Sequence, residues 1–152
     1  MGGKTMENEL TQEWLCQHIV ADASDAIMFS DRQGIIRLWN RGAEQMFGYA
    51  AAEAVGQSLD LIIPENLRGR HWDGYYRVME SGESRYSTEM LSAPALCKDG
   101  TRISTEFSMV MVTGDDGTVL GVAAVIRDVS ARWQKEKELK ERVRALEAQQ
   151  AA

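Results

Sequence analysis

The sequence predicts an α+β fold, and three observations carry that expectation. Apolar residues recur with a helical period near both ends and in the middle, but with a period of two in the stretches between. AspArgGlnGly (31–34), LysAspGlyThr (98–101) and GlyAspAspGly (114–117) each separate two apolar runs, as hairpin turns do. A chain of 152 residues suits one domain with short extensions. It buries roughly two-thirds of its unfolded surface and needs no disulfide or metal to fold.

Residues 1–6 read as a disordered lead, and residues 7–22 as an amphipathic flanking helix with Leu10, Trp14, Ile19 and Cys16 on its apolar side. AlaIleMetPheSer (26–30) and IleIleArgLeuTrp (35–39) are short strands around the first turn, with Gly34 available for φ > 0. Asn40 then caps a short helix that turns Ala43, Met46 and Phe47 inward and ends at Gly48. Residues 51–54 add one helical turn, and 58–63 form a bridge. Pro64 and Asn66 open a longer helix that Ser81-Gly82 stops.

On that helix Leu67, His71, Tyr75, Val78 and Met79 share one quarter of the circumference, while Arg70, Asp73 and Arg77 lie on the other side. A histidine therefore sits inside an apolar stripe, where it is only an intermediate choice for burial. Residues 85–97 read as a long irregular strand in which Pro94 suits a sheet edge. Residues 102–112 alternate around Ile103, Phe107, Met109 and Met111, and 118–130 are nearly continuously apolar as far as Ile126. That makes five strands, two before the helices and three after. Residues 131–150 form a charged helix whose Leu139, Val143 and Leu146 are spaced as a short coiled-coil seam.

Composition narrows the function. A net charge of −6 argues against nucleic-acid binding as the main activity. No apolar run approaches the ~18 residues of a membrane span, and no signal-peptide core follows the start. Cys16 and Cys97 match no disulfide framework or zinc spacing, which points to a reducing, cytoplasmic setting. No nucleophile elbow, phosphate loop, zinc motif or kinase signature is present, so an enzyme is not expected. The eight methionines suit an adaptable core or cavity, and His18 reads as a surface or interface residue.

The order of elements resembles the PAS sensor domain. Trp39-Asn40, PheGlyTyr (47–49), GluAlaValGly (53–56), IleIlePro (62–64), LysAspGly (98–100) and ArgAspValSer (127–130) carry the resemblance together. It implies a five-stranded antiparallel sheet that encloses a cavity with the long helix, over residues 23–130. It also implies signal transmission through flanking helices at 7–22 and 131–152, which would pair in a homodimer next to an effector domain of a larger protein. Asp128 and Ser130 correspond to the junction between last strand and exit helix.

Within the family, His71 resembles the proximal histidine of the haem-binding branch, the FixL-type oxygen sensors and their phosphodiesterase relatives. The resemblance implies b-type haem bound through His71, with Arg77 holding a propionate. Leu91 stands where that branch has a distal arginine. Tyr86, Leu91, Phe107 and Met109 would make an apolar distal side, with Met90 as a candidate sixth ligand. That composition implies weak oxygen discrimination and suits carbon monoxide or nitric oxide. The alternatives are a small metabolite, or no ligand and a dimerisation role, with His71 a core residue and Trp72 capping the cavity. Flavin photochemistry is not expected, because no cysteine stands on the helices before residue 82 apart from Cys16, and Cys97 reads as a strand residue.

Overall fold

The two apolar runs at the start of the domain and the three at its end meet in one sheet. The computed structural model describes residues 10–82 and 89–151. Strands β1 (Ala26–Asp31), β2 (Ile36–Trp39), β3 (Leu91–Leu96), β4 (Arg102–Thr113) and β5 (Val119–Asp128) are antiparallel, in the order β2-β1-β5-β4-β3. The expected hairpin turns are present, each with a glycine at positive φ: Gly34 at 77°, Gly100 at 87° and Gly117 at 82°. β1 pairs with β5 from Ala26↔Ile126 to Asp31↔Gly121, which locks the two ends of the domain together.

Strand alternation then sorts the side chains. One row runs Ala26–Ile126–Phe107–Leu91 across four strands, and the next runs Met28–Ala124–Met109. These rows face the helices. Phe47, Ala54, Leu59, Ile62, Tyr75 and Met79 join them in one buried cluster. The helices are α1 (Gln12–Asp22), α2 (Arg41–Phe47), α3 (Ala51–Ala54), α4 (Arg68–Ser81) and α5 (Ser130–Ala151), with short 3-10 turns at Leu59–Ile62 and Glu65–Leu67.

Several expectations are corrected in detail. The first helix starts at Gln12, where Thr11 caps it by accepting from the Trp14 N–H at 3.3 Å. Its apolar side is also different: Trp14, Leu15 and Val20 are half-buried, whereas Leu10, Cys16 and Ile19 are exposed. The reason is its attachment, which is made mainly at the C-terminal end. Buried Asn40 donates through Nδ2 to the carbonyls of Val20 (2.8 Å), Ala23 (3.3 Å) and Asp25 (3.1 Å). Its Oδ1 accepts from the Ile27 N–H (2.8 Å) and the Ala43 N–H (2.9 Å), so one cap holds α1, β1 and α2 together.

The helix expected from Pro64 onward begins as the 3-10 turn and becomes α-helical at Arg68. Asn66 is not its cap; it accepts a hydrogen bond from Arg102 at 2.6 Å. Of the strand expected over 85–97, β3 takes Leu91–Leu96, with Pro94 on this edge strand opposite Ser104, while residues 85–88 lie outside the described residues. The exit helix starts one residue early, at Ser130.

Candidate functional site

α4 is positioned by two anchors on the β1–β2 hairpin, Tyr75 from its apolar stripe and Trp72 from beside it. The outer edge of the Trp72 ring lies against Gly34, so closely that a Cβ there would come within 2.1 Å of it. The Trp72 Nε1–H donates to Asp60 Oδ1 at 2.7 Å. One turn on, the Tyr75 hydroxyl donates to the Asp31 carbonyl and lies 3.0 Å from Ser30 Oγ. Gly82 at φ 70° ends the helix, its N–H bonding the Val78 carbonyl at 2.9 Å.

His71 stands beside both anchors. Its ring lies 4.8 Å edge-on from Trp72 and 5.6 Å from Tyr75. Nδ1 is out of contact with solvent and has no hydrogen-bond partner among the described residues. Burial pushes the imidazole pKa down, and the nearby Asp60 charge only partly opposes this. The ring is therefore held neutral, with a lone pair available to a ligand. An unpaired buried nitrogen costs about 1–3 kcal/mol, which a ligand or a bonding partner would relieve.

The other expected site residues divide by orientation. Leu91, Phe107 and Met109 are half-buried on the inner face of the sheet, Leu91 opposite Phe107 and Met109 opposite Ala124. Arg77 is exposed on the outer side of α4 and makes no ion pair among the described residues. Met90 precedes β3 and is 65% exposed. Tyr86 lies outside the described residues.

The junction expected at the end of β5 is a bonded unit. Asp128 Oδ1 accepts from the Ser130 N–H (2.9 Å), and Ser130 Oγ accepts from the Ser104 N–H of β4 (2.9 Å). Arg132, one turn into α5, pairs with Glu106 of the same strand. The exit helix is thus tied to β4 as well as continuous with β5. Leu139, Val143 and Leu146 are exposed along it.

Sequence reasoning placed Tyr75 on the apolar stripe but did not see its bond to Ser30. The available signal was Ser30 itself, an inward-facing polar residue in an otherwise apolar strand, which needs a partner. An open furrow of about 730 Å³ lies between α1, β2 and α2 and involves none of these residues.

Comparison with known proteins gives the same picture. A family model described as PAS fold matches residues 15–129. The sensor protein FixL of Bradyrhizobium diazoefficiens is 30% identical over 145 residues, covering 91% of this chain and 27% of that protein. The oxygen sensor protein DosP of Escherichia coli is 26% identical over 129 residues, covering 85% of this chain and 15% of its own length. The chain thus spans about a quarter and about a seventh of these two relatives. The crystal structure of a PAS domain from Colwellia psychrerythraea matches with a TM-score of 0.68 at 23% identity, over 77% of this chain and 96% of that one. An RNA-binding light-oxygen-voltage receptor matches with a TM-score of 0.72 at 19% identity, over 94% of this chain and 40% of the receptor. At those identities the structural matches speak to the fold alone.

Proposed function

Because the chain belongs to the PAS fold family, we propose that it is a sensory domain that takes a ligand between α4 and the inner face of the sheet, b-type haem bound through His71. The observation that carries this reading is the His71 imidazole: neutral, in an apolar layer, with a buried nitrogen that no described group satisfies. Its likeness to the proximal histidine of the haem-binding branch supports the reading, as does similarity to a relative named as an oxygen sensor.

The residues fit the group. His71 would hold the iron, and Arg77, exposed on the outer side of α4, would have to fold its guanidinium back over the helix to pair with a propionate. Leu91, Phe107 and Met109 would form an apolar wall that excludes water and offers a bound gas no hydrogen bond. Haem, held by the His71 imidazole, would supply an iron centre able to bind a diatomic gas. The wall predicts poor discrimination in favour of oxygen over carbon monoxide or nitric oxide. Met90, exposed here, is given no place at the iron.

Movement of β4 or β5 would be felt at Ser104, Ser130 and Arg132, where the exit helix is bonded to the sheet. We assign α1 and α5 to a homodimer that conveys this change to an effector domain of a larger signalling protein.

The test is a titration of the purified protein with hemin, followed by its Soret absorbance. A band that saturates at one haem per chain and is lost in His71→Ala is the expected result. A flat spectrum, or a band indifferent to the substitution, would make His71 a core residue. One observation favours that second reading, a haem-free module: the Trp72 and Tyr75 rings already pack closely against the imidazole, 4.8 and 5.6 Å away and 5.4 Å from each other.

A further inference from the structure

Tyr75 is 8% exposed, yet its hydroxyl is satisfied entirely by another element, through Ser30 Oγ at 3.0 Å and the Asp31 carbonyl. The hairpin end of this contact is rigid. The Asp31 carboxylate accepts from the amides of Gln33 (3.0 Å) and Ile35 (3.1 Å) and pairs with Arg37 (2.8 Å). Arg32 next to it donates to the Val119 carbonyl at 2.7 Å. The helix end is one turn from His71, with the two rings 5.6 Å apart. A group that inserts against the imidazole must move the turn that carries Tyr75, and the hairpin will not follow.

β1 also leads elsewhere. Three residues before Ser30, the Ile27 N–H donates to Asn40 Oδ1, and Asn40 Nδ2 holds the last turn of α1 by its carbonyls. A bonded route therefore runs from α4 through β1 to the N-terminal helix, separate from the junction at Ser130.

We propose that the Tyr75 hydroxyl is a latch: it holds α4 closed on β1, ligand entry at His71 releases it, and Asn40 passes the release to α1. The proposal rests on the reading that the space under α4 receives a ligand. Tyr75 is a positioning residue in this scheme, and its bonds belong to the closed state alone. Removing them lowers the cost of opening, so the binding-competent population rises and ligand affinity rises with it. A residue that only stabilised the site would have the opposite effect.

The experiment has two readouts on the wild type, Tyr75→Phe and Ser30→Ala. Hemin titration should show binding about three- to tenfold tighter in Tyr75→Phe, the equivalent of one net hydrogen bond. Ser30→Ala should also tighten binding but add nothing in the Tyr75→Phe background, because the two residues share a contact. Amide exchange on the ligand-free proteins should be faster in Tyr75→Phe across β1 and the last turn of α1, with the second half of α5 unchanged. Unchanged or weaker hemin binding in Tyr75→Phe, or exchange changes confined to α4, would overturn the latch. If the wild type takes up no hemin, the haem reading fails, and the exchange comparison still decides whether Tyr75 couples α4 to α1.

Discussion

Asn40 offers the sharpest test of how this fold is held together. It is 5% exposed and uses both ends of its amide, Oδ1 on two N–H groups and Nδ2 on three carbonyls, across three elements. Asn40→Ala removes a helix cap, which costs about 1 kcal/mol. It also leaves the Ile27 N–H and the carbonyls at the end of α1 short of partners, at about 1–3 kcal/mol for a buried group. A total near 3 kcal/mol follows, lowering Tm by about 10 °C in a chain of this size. Asn40→Asp separates the two halves of the role. It keeps the acceptor for Ile27 and Ala43 but replaces the donor with an oxygen facing three carbonyls, so it should be about as damaging as alanine. Urea and thermal unfolding give the stability, and amide exchange in α1 shows whether that helix has come loose. A loss below about 1 kcal/mol in Asn40→Ala, or a wild-type midpoint in Asn40→Asp, would refute the assignment of Asn40 as the link between α1 and the sheet.

Two further outcomes are expected. Burial lowers the His71 pKa in the folded state, so below about pH 6.5 the unfolded chain binds a proton that the folded chain refuses. Stability conferred by the neutral ring is therefore full above that pH and declines on acidification toward the folded pKa; His71→Leu should flatten the unfolding midpoint between about pH 5 and 7 relative to wild type. Gly34→Ala places a Cβ 2.1 Å from the Trp72 ring at a φ of 77°, and should cost about 2–4 kcal/mol with a change in tryptophan fluorescence as Trp72 is pushed off the hairpin.

Much of the fold was legible because the turns are written in local chemistry. The glycines of the three hairpins specify a backbone conformation that few other residues adopt, and Pro94 marked the edge strand by its missing donor. The stripe of α4 was legible for the same reason, since Tyr75 and Met79 are buried at helical spacing. What escaped the sequence was long-range. The side of α1 that packs is decided by Asn40, from 15 to 20 residues away, and not by the distribution of Leu10 and Ile19 along the helix. The contact of Trp72 with Gly34 is another long-range pairing that no local pattern records. At the site, His71 was visible as a misplaced polar residue, whereas Arg77 and Met90 were carried over from a family pattern and are exposed here.

The central proposal, that His71 would hold the iron of a bound haem, is tested most directly by chemical rescue. His71→Gly leaves room for a free imidazole beside α4, so the variant should show no Soret band with hemin alone. Addition of imidazole should restore a band close to that of the wild type at one haem per chain. A wild-type band in His71→Gly without imidazole, or no band in the wild-type protein itself, would contradict the account.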